Sequence, residues 1–297
     1  MGRFAPTPSG DLHFGSLVAA FASAIDCKSL GGQHRIRIDD IDPPRVVDGS
    51  ADRITQALND FRVPIDGPIC FQSGSIGRYQ QALYHLIERD AVFICTCSRK
   101  SLGPNSTCVA QCRKNRLTTS TPVHEQLKRL VGYASVRLDS NSLTRLNGFV
   151  VYDCIQAPVC VENVVCVGTP VLWRKDGYVS YLLATAIDDS DNITDVVRGA
   201  DLWQETASQQ LLMECLNRPI PRWVHVPCAV DNNQQKLGKQ TQAPSINGAE
   251  PLILLQKVWR FLGQPPLVCG SLEDFWMNAA TAWSLDSVPR ELAQQID

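Results

Sequence analysis

The first sixteen residues constrain the fold more than any other stretch. Residues 2–6 pattern as a short strand that runs straight into a Pro/Gly turn, Pro6-Thr7-Pro8-Ser9-Gly10, and then into a helix starting near His13. A strand fed directly into a helix opens a βα unit, which buries its helix on a parallel sheet. The spacing predicts a helix over 13–29, with Leu17, Val18, Phe21, Ala22 and Ile25 on one face. Gly31-Gly32 ends it, and 33–39 alternates like a strand finishing in acids. A second helix is predicted over 48–61, striped by Ile54, Ala57, Leu58 and Phe61. A third follows over 78–89, then a strand over 91–95. This alternation predicts an α/β fold with a doubly wound parallel sheet.

Residues 96–172 break the rhythm. They are rich in Cys, Val, Asn, Ser and Thr and read as an inserted subdomain. Alternation resumes at 178–187, 194–197, 202–217 (a helix) and 223–230 (a strand). Helices are predicted at 250–262, 272–283 and 289–295. The expected organisation is 1–95 as the first half of a nucleotide-binding core, 96–172 as the insert, 173–243 as the second half and 244–297 as C-terminal helices. A net charge of −2 in 297 residues leaves no global basic field, so any RNA contact must be local. No apolar run reaches the ~18 residues of a membrane helix, and no secretory signal is evident. A cytoplasmic protein with no membrane partner is expected, its twelve cysteines being thiols or metal ligands. Cys95-x-Cys97 and Cys108-x3-Cys112 form two close pairs able to converge tetrahedrally on one structural Zn²⁺, or else are loosely placed thiols. The other eight cysteines read as small core residues, and His85, His124 and His225 lack partners at metal spacing.

The N-terminal turn also carries chemistry. In an open parallel sheet the ligand crevice lies beyond the carboxyl ends of the strands. Arg3-Phe4-Ala5-Pro6-Thr7-Pro8-Ser9-Gly10-Asp11-Leu12-His13-Phe14-Gly15-Ser16 puts a helix N-terminus there, suited to phosphate. His13 can donate to a phosphate oxygen, and Gly15 lets a flat ring lie against the helix. Far downstream, Lys236-Leu237-Gly238-Lys239-Gln240 is a basic loop whose Lys236 and Lys239 can neutralise charge on a leaving pyrophosphate. The plainer alternative is a capped helix and an unrelated solvated loop.

The two segments resemble the paired H-I-G-H and K-M-S-K-S signatures of class I aminoacyl-tRNA synthetases, and the first has the wording of the glutamyl branch. Arg37-Ile38-Asp39-Asp40-Ile41-Asp42-Pro43-Pro44-Arg45 resembles that branch's R-I-E-D-I-D-P-P-R. Tyr181 with Ile187-Asp188-Asp189 resembles its tyrosine-bearing helix, Arg198-Gly199-Ala200-Asp201-Leu202 its R-G-A-D-L, and Trp223-Val224-His225-Val226-Pro227 its Y-x-H-L-P. The resemblance implies a Rossmann-like class I core. It implies His13, Lys236 and Lys239 as catalytic residues, and His13, Gly15, Ser16 and Lys239 at ATP. It places Arg3, Phe4, Ala5, Pro6, Thr7, Asp39, Tyr181 and Arg198 around L-glutamate. Arg3 and Arg198 are the matching guanidinium forks, and Asp39 stands where the branch holds the α-ammonium. From the residues alone, both arginines read rather as structural ion pairs at strand ends; the resemblance turns the reading to the pocket. Asp39 (usually Glu), Gly238 (usually Ser), Leu182 (usually an amide) and Ala207-Ser208 (usually Pro-Arg) depart from the pattern.

Only residues 241–297 follow the lysine loop, less than an anticodon-binding region needs. That points to the short paralogues of the branch. The resemblance then implies a glutamate-activating, AMP-forming ligase. It would use ATP with Mg²⁺, act as a monomer, activate glutamate without tRNA, and transfer it to the queuosine base of tRNA(Asp). A truncated synthetase charging tRNA(Glu) and a non-catalytic ATP- or RNA-binding relative are the other readings.

Overall fold

The computed structural model of the chain describes residues 1–103, 107–108, 111–143, 148–238, 241 and 243–296. In chain order the first elements are β1 (Gly2–Phe4), α1 (Phe14–Ser29), β2 (His34–Ile38), α2 (Ser50–Asp60), β3 (Cys70–Phe71) and α3 (Ile76–Glu88). Then come β4 (Val92–Cys95), α4 (Val123–Leu130), β5 (Ser135–Leu138), β6 (Phe149–Val151), β7 (Val159–Val161) and β8 (Val171–Trp173). The rest are α5 (Tyr181–Asp189), β9 (Asp195–Gly199), α6 (Thr206–Cys215), β10 (Arg222–Val226), β11 (Cys228–Val230), α7 (Pro251–Phe261), α8 (Leu272–Ala282) and β12 (Ala293–Gln295).

The central sheet has the order β10-β9-β1-β2-β3, with every pair parallel. The chain winds outward from β1 through β2 to β3, and later from β9 to β10 on the other side. The reversal falls between β1 and β9, where an open α/β sheet splays its loops apart and leaves a crevice. Each face of the sheet buries its own core. Phe4, Ile36, Ile38, Val197, Val224 and Val226 pack with α1, α2, α7 and α8. Val196 and Trp223, one residue out of phase, pack with α3, α5 and α6. This period-two switch is what a doubly wound sheet requires.

α1 is buried nearly all round, beyond its predicted stripe: Ala20, Ala24 and Cys27 are also inside. The C-terminal helices cover its outer side, where Phe21 meets Trp276, Phe275 and Trp259 at ring-centroid distances of 5.1, 5.8 and 6.1 Å. Such aromatic contacts make α7 and α8 part of the core rather than an appendage.

Four sequence expectations need correction. The strand at 91–95 does not join the parallel sheet; as β4 it pairs antiparallel with β5, which pairs antiparallel with β8. The strand at 223–230 splits at Pro227, which has no N–H to continue a ladder, into β10 and β11. Residues 289–295 are not helical. Ala293–Gln295 instead pairs in parallel with the open edge of β11. Of the eight remaining cysteines, Cys70, Cys154, Cys160 and Cys166 are exposed rather than core residues, because in these short strands and turns the neighbouring side chains, such as Ile155 and Val164, take the inward positions. Among the described residues no helix is long and apolar enough to cross a membrane.

Candidate active site

His13 caps α1 from an extended conformation, and its Nδ1 accepts the Ser16 N–H at 3.3 Å. An imidazole accepting at Nδ1 carries its proton on Nε2, so it can donate outward while neutral. Burial, and then the charge of Lys236, lower its pKa and favour that neutral form. Gly15 keeps the ring in place, since a Cβ there would lie 3.3 Å from His13 Nδ1 and Cε1.

Three links tie residues 245–247, just beyond the lysine loop, to this turn. The Ile246 N–H donates to Leu12 O at 3.0 Å, His13 bridges Ser245, and Asp11 accepts from Ser245 Oγ and Asn247 Nδ2 at 3.2 and 3.1 Å. Lys236 itself pairs with Val230 as an isolated bridge, so β11 leads directly into the loop. A cavity of about 760 Å³ results, lined by Arg3, Phe4, Ala5, His13, Gly15, Ser16, Tyr181, Arg198 and Lys236. Thr7 and Asp39 line an adjoining cavity of about 840 Å³, and Arg45 and Tyr181 border both. Pro6 fixes the wall between them by accepting the Asp39 N–H at 2.9 Å. Lys236 Nζ lies 2.5 Å from Asp201 Oδ2. Lys239 and Gln240 lie outside the described residues.

Below the cavity is a buried lattice of alternating charge. Arg3, 3% exposed, forks onto Asp189 with Nε–Oδ1 at 3.0 Å and Nη2–Oδ2 at 2.9 Å, and its Nη1 donates to Val197 O at 3.2 Å. Arg37 bridges Asp189 at 2.6 Å and Asp39 at 2.7 Å. Burial pushes the Asp39 carboxyl up to about 6 despite Arg37, whereas Arg3 and Arg37 together overcome burial at Asp189 and hold it far below the carboxylate range. The Arg3 charge is therefore already balanced within the protein.

Arg198 differs. It is 5% exposed and lines the cavity, yet among the described residues its hydrogen-bond partners are all neutral. Nε donates to His225 Nε2, Nη1 to Gln209 Oε1 and Nη2 to Thr206 Oγ1, each at 2.9 Å. Its guanidinium carbon sits 5.1 Å from the Trp223 ring centroid. Among the described residues no carboxylate lies in ion-pair contact with it. Desolvation lowers its pKa, the mark of a buried cation lacking its anion. Sequence reasoning missed its supports Thr206, Gln209, His225 and Asp153, and the roles of Arg37 and Asp189. Arg37 and Asp189 stood inside recognised motifs, whereas Asp153 and Gln209 had no local signal.

At and beyond the end of β4, Cys95, Cys97, Cys108 and Cys112 hold their sulfurs within 4.8 Å of one another. Cys97 Sγ lies 3.7 Å from both Cys108 Sγ and Cys112 Sγ. A ZnS₄ tetrahedron with bonds of about 2.3 Å has S···S edges of about 3.8 Å, so the donor set and spacing fit zinc. Burial would raise the Cys112 thiol, but hydrogen bonds from Thr96 and neighbouring thiols bring it to about 7, favouring the thiolate a metal needs.

A family model described as tRNA synthetases class I (E and Q), catalytic domain, matches residues 1–250. A glutamyl-Q tRNA(Asp) synthetase from Burkholderia mallei is 40% identical over 95% of each chain. One from Xanthomonas axonopodis pv. citri is 38% identical over 100% of this chain and 95% of its own. In fold, the chain superposes with a TM-score of 0.77 on a glutamate tRNA ligase from Elizabethkingia meningosepticum. The two are 22% identical, and the match covers 99% of this chain and 66% of that one. The sheet, the crevice at its reversal and these relatives agree: the chain belongs to the glutamyl-Q tRNA(Asp) synthetase family of class I (E and Q) tRNA synthetases, and is a ligase of the aminoacyl-tRNA synthetase type.

Proposed function

We propose that the crevice activates L-glutamate with ATP, without tRNA, and passes the glutamyl group to the queuosine base of tRNA(Asp). Arg198 carries this reading. A buried, cavity-lining cation whose protein partners are all neutral is completed by an anion, and the γ-carboxylate of glutamate supplies one. Arg3 backs the pocket through Asp189, Tyr181 adds a hydroxyl, Phe4 to Thr7 form the wall, and Asp39 takes the ammonium. The triphosphate lies along the α1 N-terminus, where the His13 Nε2–H and the Ser16 end of the helix meet it and Gly15 leaves room. The glutamate α-carboxylate attacks the α-phosphorus, and pyrophosphate leaves toward Lys236 and Lys239. Mg²⁺ accompanies the phosphates. The protein contributes position and charge, not a covalent nucleophile. One zinc on the four cysteines is structural. The chain divides at 95, 172 and 243 into core, insert, core and C-terminal region, and works as a monomer.

The test is ATP–pyrophosphate exchange without tRNA. Glutamate should drive it, and R198A should raise the glutamate KM about 10²-fold or more, the scale of a lost charge-assisted pair. Exchange driven equally by glutamine, or an unchanged KM in R198A, would overturn the assignment.

A further inference from the structure

Arg198 is held by neutral groups, and each of the two main ones is backed by a buried carboxylate. His225 is fully buried. Its Nδ1 lies 2.7 Å from Asp153 Oδ2, while its Nε2 accepts from Arg198. Gln209 accepts from Arg198 at Oε1, and its Nε2 donates to Asp189 Oδ2 at 3.1 Å. Each carboxylate therefore stands one neutral residue away from the guanidinium. Asp153 is itself fixed: its Oδ1 accepts the N–H groups of Ile155 and Gln156 at 2.9 and 2.8 Å. Its place in the insert, between β6 and β7, ties that region to β10 through the bridge to Trp223.

The consequence is electrostatic. A carboxylate in direct contact would orient Arg198 equally well but would cancel its charge, as Asp189 does for Arg3. A neutral acceptor orients it and leaves the charge to be answered from the cavity. An imidazole accepts at Nε2 only when its proton is on Nδ1, and the hydrogen bond to Asp153 selects that tautomer. With the proton on Nε2, two N–H groups would face each other 2.9 Å apart.

We propose that His225 and Gln209 are positioning residues that aim Arg198 without neutralising it, and that Asp153, by fixing the His225 tautomer, makes the pocket select a substrate carboxylate over the corresponding amide. This rests on the assignment of Arg198 to the γ-carboxylate. Any polar trio could pack a buried arginine; only neutral acceptors aimed by Asp153 and Asp189 would also preserve selection between carboxylate and amide.

The experiment measures kcat/KM for glutamate and for glutamine in tRNA-independent pyrophosphate exchange, with the ATP KM and melting temperature recorded for each variant. H225E places a carboxylate on Arg198 and should lower the glutamate-to-glutamine ratio at least ~30-fold. H225Q, whose amide oxygen still accepts, should keep the ratio within ~3-fold. D153N should raise the glutamate KM ~10-fold and leave the ATP KM within ~2-fold, because the wrong tautomer turns the acceptor away. Should H225E fail to fold, T206D, which puts a carboxylate in place of the hydroxyl that accepts from Arg198 Nη2, carries the same test. A wild-type ratio in the carboxylate variant, with R198A losing its preference, overturns the proposal and leaves the function standing. If R198A also keeps the wild-type ratio, the assignment of Arg198 falls, and the proposal with it.

Discussion

Two arginines that look alike in the sequence differ in what surrounds them. Arg3 meets Asp189, 186 residues away, and is neutralised; Arg198 meets an imidazole, an amide, a hydroxyl and a backbone carbonyl, and no carboxylate among the described residues. Both sit at strand positions in motifs of one family, so the resemblance marks them without ranking them. Buried His34 shows the same dependence on partners. Its Nδ1 lies 2.7 Å from Pro64 O and its Nε2 2.8 Å from Ser23 Oγ, and burial above all lowers its pKa to about 4. An unfolded histidine titrates near 6.5, so between those values the unfolded chain binds more protons and stability rises with pH. The contribution is whole above 6.5 and falls by about 1.4 kcal/mol per pH unit below it. Urea unfolding at pH 7 and pH 5 should therefore show H34Q losing about 2 kcal/mol less than wild type over that interval. Asp39, raised to about 6, works in the opposite sense between about 4 and 6, but equally in both proteins, so the difference isolates His34. An identical loss in H34Q would refute the assignment.

Helices announced themselves better than strands. The stripes of α1 and α2 were legible because a 3.6-residue period over eleven or more residues is hard to mimic. Strands of two to five residues carry too few side chains to say which sheet they join. That is why the pattern alone puts β4 in the parallel sheet and makes a helix of 289–295, where the structure has an antiparallel strand and the edge strand β12. The cysteine cluster was legible by spacing, and its geometry now gives a sharper expectation. It joins the end of β4 to the turn at Gln111–Lys114, in a small cluster where, among the described residues, Phe93 and Leu102 are the apolar neighbours of the cysteines. Purified protein should contain about one zinc per chain with four sulfur neighbours near 2.3 Å. C108S should lose metal to a chelator faster and expose 96–112 to proteases. Absence of zinc together with four freely titratable thiols would refute it.

The assembled chain brings its two signatures together at the reversal of sheet order between β1 and β9, with β11 delivering the lysine loop. At a net charge of −2, RNA must be held by local cations. Arg113 and Arg116 in the insert are not free for this, since both pair with Asp139, at 3.3 and 2.8 Å. Arg99 lines the cavity beside the proposed glutamate pocket, and an unstacked base of a single-stranded loop suits such an opening better than a duplex. Labelled glutamate should go to queuosine-bearing tRNA(Asp) and neither to its unmodified transcript nor to tRNA(Glu). Affinity should fall with salt on a slope of only a few phosphates. Label on tRNA(Glu) would instead identify a truncated charging enzyme.

Local order in the chain was enough to determine the βα opening, the major helices, the doubly wound class, the four-cysteine spacing and the family's motifs. Each depends on residues close in sequence, where periodicity, turn chemistry and ligand spacing act directly. Folding decided which arginine keeps its charge. Arg198 depends on Thr206, Gln209, His225 and Asp153, and Arg3 on Asp189. Partners drawn from β9, α5, α6, β10 and the segment between β6 and β7 meet only when the sheet and its helices are assembled. The electrostatics of a buried group are set by the atoms within a few ångströms of it, whatever their distance along the chain.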